Sequence, residues 1–209
     1  SSGLLIRWLR VRVAPEALKK YKMKKISLPD TLEDILTQLA QNGFQAFLVG
    51  GCVRDLLLNK VPKDWDITTN AQPQEIQQIF PESIYENNFG TVVVKTNSTQ
   101  PSLKTVEITT FREESKYSDK RHPDTITFTN SIEEDLARRD FTINAMALEI
   151  QNTEDGIQNT KYSVIDPFHG QSDLKKKLIR AVLDPQKRFQ EDALRLLRAI
   201  RFACELNFE

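Results

Sequence analysis

Hydrophobic residues recur along the chain at two different spacings. Between Thr31 and Asn42 they lie three and four positions apart, which predicts a helix with Asp30 as a possible N-cap and Gly43 as its stop. A continuous apolar run at 46–49 predicts a short buried strand that leads into paired glycines. The same criteria predict further strands over 64–68, 91–96, 104–111, 125–129 and 146–150, and helices over 53–58, 73–80, 131–139 and 186–206.

Polar segments separate these elements. The charged stretch 112–124 is predicted to be a mobile loop, 151–162 is predicted to be a second loop, and 165–170 is predicted to be a turn. Strands interleaved with helices favour an α/β or α+β fold, followed here by a helical segment.

Composition narrows the functional classes. The 209 residues contain 29 basic and 29 acidic side chains, and this zero net charge excludes a generally basic nucleic-acid coat but not a local basic groove. Two cysteines are too few for a disulfide scaffold, and no apolar run approaches the roughly 18 residues of a membrane span. We therefore expect a cytoplasmic globular chain with no membrane partner. Residues 1–25, with eight basic side chains against one acid, are expected to be a basic N-terminal arm or a segment left from expression.

Acidic residues supply the first candidate chemistry. Asp64 and Asp66 flank Trp65 in a predicted strand, so both carboxylates face one side and the indole faces the other. At about 6–7 Å apart, two such carboxylates can share Mg²⁺ ions. Glu107, in the strand predicted over 104–111, has the alternation needed to face the same side. The alternatives are a solvated turn for the pair and an exposed strand position for Glu107.

Two adjacent glycines supply a second candidate site, one for phosphate binding. Gly50 and Gly51 link a predicted strand to a predicted helix, a geometry that lets backbone N–H groups approach an anion, and Arg54 adds a forked cation. A tight strand-to-helix turn is the alternative. Together with the acids that follow ten residues later, the segment indicates phosphoryl or nucleotidyl transfer, and a P-loop is excluded because its Gly-Lys-Ser/Thr sequence is absent.

The last predicted helix separates into two faces. Its apolar residues fall within roughly 120° of arc at 100° per residue, and its polar face carries Asp192, Arg195, Arg198 and Arg201. A solvated face with an Asp192–Arg195 ion pair would also explain this pattern. Arg139 and Asp140 end an earlier predicted helix, where basic residues also suit the helix dipole.

Five segments then stand in a characteristic order: 48–55, 64–66, 106–111, 138–146 and 188–195. Together they resemble the motifs of the class II tRNA nucleotidyltransferase/poly(A) polymerase family, from about Ile26 to the end of the chain. The resemblance implies an α+β fold, with a polymerase-β-like head of mixed sheet and flanking helices over 26–161. The start of an all-helical neck would occupy 162–209, and the chain would stop before the family's further tRNA-gripping helices.

The resemblance also implies an activity: template-independent addition of CMP, AMP or both to the 3′ end of tRNA, from CTP and ATP, with two Mg²⁺ ions. Asp64 and Asp66 would be the metal ligands, and Glu107 an acid beside them. The nucleotide contacts implied are Gly50, Gly51, Arg54, Arg139, Asp140, Asp192, Arg195, Arg198 and Arg201.

Within those contacts, Asp192 and Arg195 would read the incoming base. Cytosine and adenine both offer an amine donor beside a ring-nitrogen acceptor, which a carboxylate and a guanidinium match, whereas uracil and guanine present the opposite pattern. The loop over 113–124 resembles that of members that also add A. The alternatives are an enzyme that adds A alone, a bacterial poly(A) polymerase, and a non-catalytic RNA-binding fragment.

Overall fold

A seven-stranded mixed sheet forms the centre of the molecule. The computed structural model describes residues 28–85, 89–115, 117–151 and 161–209. The strands of the main sheet stand in the order β3-β4-β5-β2-β1-β8-β9, and β6 pairs with β7 in a separate hairpin. The strands are β1 Ala46–Val49, β2 Asp66–Thr69, β3 Ser83–Tyr85, β4 Thr91–Lys95, β5 Thr105–Thr110, β6 Arg112–Ser115, β7 Thr125–Phe128, β8 Ala147–Gln151 and β9 Lys161–Ile165.

Helices cover the sheet and extend beyond it. They are α1 Asp30–Gln41, α2 Gly51–Leu57, α3 Pro73–Ile79, α4 Ile132–Ala137, α5 Gly170–Lys176, α6 Pro185–Glu191 and α7 Leu194–Leu206. Strand β1 shows how its alternating side chains divide the interior. Leu48 packs in a large core that includes the leucines of α1, whereas Phe47 and Val49 pack in a smaller core with Leu136 of α4.

The central strands bring distant acids into register. Strands β2 and β5 are parallel, and Asp66 of β2 is the register partner of Glu107 of β5. On the other side of β2, the antiparallel strand β1 ends at Val49, directly before the paired glycines. Both features therefore reach the same end of the sheet from non-adjacent parts of the sequence.

Most predicted elements of the head are present, with shifted bounds. Asp30 is the first residue of α1 rather than its cap, which is Pro29. Asp64 precedes β2 instead of lying in it. The stretch predicted to be a mobile loop begins with β6, which pairs with β7. Strands β3 and β9 and helix α5 are additional elements.

The single helix predicted over 186–206 is wrong. The chain breaks at Asp192, whose backbone is extended at φ −137° and ψ 109°, and its carboxylate accepts a hydrogen bond from the N–H of Leu194 at 2.8 Å. An aspartate that bonds the backbone two residues ahead competes with helix continuation. The chain therefore forms α6 and α7 in place of one continuous helix.

The apolar arc predicted for that helix is not the face that packs against the head. Leu196, Leu197 and Ile200 of the predicted apolar arc are 51%, 63% and 62% exposed, whereas Arg195 of the predicted polar face is 6% exposed. Helix α7 instead contacts the head through Phe202, which packs edge-on against Phe141 at 5.8 Å.

The boundary predicted between 161 and 162 falls inside β9, so the sheet continues beyond it. Residues 1–25, predicted to be a basic arm, lie outside the described residues. Among the described helices, none is both long and apolar enough to cross a bilayer.

Candidate active site

A cleft of about 670 Å³ opens between the glycine turn, the acidic strand and helix α7. Nine of the residues predicted to bind nucleotide or metal line it: Gly50, Gly51, Arg54, Asp64, Asp66, Arg139, Asp140, Arg198 and Arg201. The topology therefore assembles residues from four separate sequence segments in one cavity.

Two carboxylates lie at the floor and edge of this cleft. Asp66 is half-buried as the first residue of β2, and Asp64 is exposed two residues earlier. Trp65 between them is 6% exposed and packs in the core, which fixes the turn. Burial raises the pKa of Asp66, the Arg139 guanidinium opposes that rise, and the nearby Asp64 carboxylate adds to it.

These carboxylates fit a divalent cation. Each offers hard oxygen ligands, and a cation between them would offset both the burial of Asp66 and its repulsion from Asp64. No group of three or more ligating side chains forms a closed cage in the described part of the chain. An Mg²⁺ site completed by substrate phosphates needs only one or two protein carboxylates.

At Gly50 the backbone comes close to the charged side chains of Arg139 and Asp66. Its φ of 79° and ψ of −134° lie in a region that other residues adopt only with strain. A Cβ at this position would stand 3.0 Å from Nη1 of Arg139 and 3.6 Å from Oδ2 of Asp66. Glycine is therefore required here by conformation, and any larger residue would also displace the Arg139 guanidinium by a few tenths of an ångström.

Two arginines face the glycine turn. Arg54 forms an ion pair with Asp55 at 2.8 Å and donates to Oδ1 of Asn144 at 2.8 Å. Arg139 lies 3.5 Å from the buried carboxylate of Asp135, and its Nε is buried without a hydrogen-bond partner in the described structure. The nitrogen of Arg139 that stands beside Gly50, where a phosphate would approach, is Nη1.

Asp135 explains why Arg139 is held there. This carboxylate is fully buried, and burial raises its pKa, but the guanidinium groups of Arg138 and Arg139 more than reverse the effect, so the pKa is lowered. The backbone N–H of Arg112 also donates to it at 3.3 Å. Sequence reasoning assigned no role to Asp135, although an acid on the apolar side of a short helix is a recognisable signal.

Asp140 joins the head to helix α7. Its Oδ2 accepts from Nε of Arg198 at 2.8 Å, and its Oδ1 accepts from the amide of Asn144 at 3.3 Å. Arg198 and Arg201 both stand over the Phe202 ring, at 5.2 and 5.3 Å from its centre. Asn144, which the sequence analysis left without a role, links Arg54 to Asp140.

The predicted base-reading pair is not brought into the cleft. Arg195 donates to the Glu191 carboxylate at 2.8 Å and to the carbonyls of Arg188 and Arg138, both at 3.2 Å. Asp192 uses one carboxylate oxygen to bond the start of α7. Neither residue lines the cavity. Their role in base recognition stays a prediction, and it requires Arg195 to leave these contacts.

Glu107 also lies outside the cavity lining. Its register with Asp66 places the two residues side by side on adjacent parallel strands, as the alternation predicted. The Glu107 side chain is exposed. Its role as a metal ligand or a neighbouring acid stays a prediction.

A mixed sheet with flanking helices, carrying these acids beside a glycine turn, defines the polymerase-β-like nucleotidyltransferase head. The chain belongs to the family described as the poly A polymerase head domain, whose model matches residues 46–180. The resemblance to the class II tRNA nucleotidyltransferase/poly(A) polymerase family is thereby confirmed. Nucleotidyltransferases of this kind generally use divalent metal ions.

Individual relatives agree with this family. The chain is 48% identical over 191 residues to the CCA-adding enzyme of Limosilactobacillus fermentum. The aligned region covers 90% of this chain and 44% of that protein. It resembles the crystal structure of the Bacillus stearothermophilus CCA-adding enzyme in complex with CTP, with a TM-score of 0.69 at 40% identity, over 87% of this chain and 41% of that one. It also resembles a tRNA nucleotidyltransferase complexed with a primer tRNA and an incoming ATP analog, with a TM-score of 0.61 at 33% identity, over 83% and 45%. The chain thus spans less than half the length of the curated relatives it matches.

Proposed function

We propose that this chain is the catalytic part of a template-independent RNA nucleotidyltransferase that adds CMP, AMP or both to the 3′ end of tRNA. One observation carries the proposal: Asp64 and Asp66 share a cleft with Gly50, Arg54 and Arg139. Two acids that hold a cation, next to a turn and two guanidiniums that hold phosphates, are the groups that nucleotidyl transfer requires.

In this proposal, different residues of the cleft bind different parts of the nucleotide. The backbone at Gly50 and Gly51 lets the triphosphate approach closely, and Arg54 and Arg139 donate to its oxygens. Asp64 and Asp66 would hold Mg²⁺, which in two-metal sites activates the attacking hydroxyl and stabilises the leaving pyrophosphate. Arg54 already has its orientation fixed by Asp55 and Asn144, so its side chain needs little reordering on binding.

Base choice is the part of the proposal that needs movement. Asp192 and Arg195 match the donor–acceptor pattern of cytosine and adenine, and each mismatched pair with uracil or guanine would cost about 1–3 kcal/mol. Arg195 must first exchange its bonds to Glu191 and to the Arg138 carbonyl for the base. In this proposal, binding of the growing RNA end causes Arg195 to exchange these hydrogen bonds.

The tRNA end, rather than a general RNA end, is favoured by the relatives. Curated proteins at 45–48% identity are CCA-adding enzymes, and one structural neighbour carries a primer tRNA with an ATP analog. A tRNA substrate also supports a cytoplasmic location.

Three tRNA transcripts test the proposal: one ending before the first C, one after a single C, and one after two. Each is incubated with one labelled nucleotide at a time, with Asp64→Ala as the control variant. We expect C addition to the first two and A addition to the third, all lost in the control. A long ladder of A would instead identify a poly(A) polymerase, and A addition confined to the third transcript would identify an A-adding enzyme. If the transcripts are bound but neither incorporation nor metal-dependent nucleotide binding occurs, the chain is a non-catalytic RNA-binding fragment.

A further inference from the structure

The charges that line the cleft are mostly paired with each other. Arg54 pairs with Asp55, Arg198 with Asp140 and Arg201 with Glu205, while Arg139 pairs with Asp135 behind the cleft. Two further cations, Lys60 and Lys63, line the same cavity, and neither side chain makes a hydrogen bond or ion pair within the described residues. These two lysines are therefore available to an external anion.

Both lysines sit on one short, well-anchored loop. It follows α2, with Asn59 in the left-handed region at φ 56° and the N–H of Lys60 donating to the Asp55 carbonyl at 2.8 Å. Pro62 is buried, whereas Val61 is 88% exposed. The loop thus presents two cations and an apolar side chain to the cleft, and its backbone is held in place from behind.

The position of the loop separates it from the triphosphate seat. Helix α2 runs for seven residues from Gly51 to Leu57, about 10 Å at 1.5 Å per residue. The glycines stand at its start, and the lysine loop stands beyond its end and leads directly into Asp64. Asp66 returns to the glycine turn, because a Cβ on Gly50 would stand 3.6 Å from its Oδ2. The acids therefore stand next to the triphosphate seat, and the two lysines stand on the side of the acids away from it.

This arrangement assigns the lysines to the other reactant. In an in-line displacement the attacking hydroxyl enters opposite the leaving pyrophosphate, with the metal-binding acids between them. We propose that Lys60 and Lys63 bind the phosphodiester groups next to the 3′ end of the RNA strand, with Val61 against its last ribose or base. This inference rests on the proposed function, because it takes an RNA 3′ end as the second reactant.

Salt dependence tests the assignment. The double variant Lys60→Ala/Lys63→Ala is compared with Lys175→Ala/Lys176→Ala, which removes two exposed lysines of helix α5 that lie outside the cleft lining. Binding of a short 5′-labelled single-stranded RNA ending in CC is followed by fluorescence anisotropy over a range of salt. CTP affinity is measured in parallel by calorimetry.

We expect the cleft variant to bind RNA more weakly and to lose about 1.4 from the slope of log K against log salt, because each single-strand phosphate contact contributes about 0.7. Its CTP affinity should stay within twofold of wild type, and the control variant should match wild type in both assays. An unchanged slope, or wild-type protein that binds CTP but no RNA at low salt, overturns the assignment. A loss of CTP affinity in the cleft variant also overturns it, since the lysines would then serve the triphosphate. Failure of the proposed function is separate, because it appears in wild-type protein as absent CTP binding and incorporation.

Discussion

Replacing Gly50 with alanine tests the geometry on which the nucleotide site depends. The new Cβ would lie 3.0 Å from Nη1 of Arg139, closer than ordinary contact at about 3.5 Å, so the guanidinium must move away. Loss of one charge-assisted hydrogen bond to a phosphate costs about 1.5–3 kcal/mol, or about 10- to 150-fold in CTP affinity. The φ of 79° with a ψ of −134° adds a conformational cost of about 1–3 kcal/mol to folding.

Gly43 provides a matched control for that conformational cost. Its φ is 86°, and a Cβ there would meet nothing within 4 Å. Both Gly50→Ala and Gly43→Ala should therefore lower the melting temperature, and for Gly50→Ala the fall should be about 2–12 °C, taking about 2–4 °C per kcal/mol for a chain of this size. Only Gly50→Ala should lose CTP affinity in calorimetry. CTP affinity equal to wild type in Gly50→Ala would refute the close approach of nucleotide, Gly50 and Arg139.

Three further substitutions address charge. In EDTA, Asp66→Asn should raise the free energy of unfolding at neutral pH, because burial raises the pKa of Asp66 and its ionised form disfavours the folded state. This gain should shrink as the pH falls and the wild-type carboxyl becomes protonated. Urea denaturation that shows a gain growing in acid would contradict this expectation. Asp135→Asn should cost about 3–5 kcal/mol, because Arg138 and Arg139 lose a buried partner. Burial raises the pKa of Asp135, but the two arginines lower it by more, so the net pKa is lowered. The stabilisation by Asp135 is therefore present above about pH 4 and is lost as the pH falls further. A difference in stability between variant and wild type that persists in acid would be inconsistent with this role of Asp135. Arg195→Ala should relax the preference for CTP and ATP over UTP and GTP in single-nucleotide incorporation, and unchanged discrimination would discard the base-reading pair.

The sequence predicted the part of the site that local geometry determines. Gly50 and Gly51 follow a buried strand directly, so their position at the end of β1 depends on short-range pattern alone. The facing of Glu107 and Asp66 followed from strand alternation, although only the parallel pairing of β2 with β5 makes them neighbours. Local periodicity thus located the acids and the turn, and the sheet topology brought them together.

Long-range contacts explain what the sequence did not predict. Periodicity alone continued a single helix through Asp192, because the hydrogen bond of its side chain to Leu194 leaves no mark on the hydrophobic pattern. Periodicity also puts Arg195 on the polar face of the helix, because no local signal indicates the carbonyls of Arg188 and Arg138 that accept its hydrogen bonds. Side chains whose partners lie on other elements could be found only from the folded chain.

The proposed site depends on two features that bind the same nucleotide: the glycine turn, and a metal ion held by the carboxylates of Asp64 and Asp66. Titration of CTP into the wild-type chain and into Asp64→Ala, each with Mg²⁺ and with EDTA, measures this directly. We expect tight binding only for wild type with Mg²⁺, and weak binding in the other three conditions. CTP binding that is equally strong in EDTA, or that survives unchanged in Asp64→Ala, would contradict this.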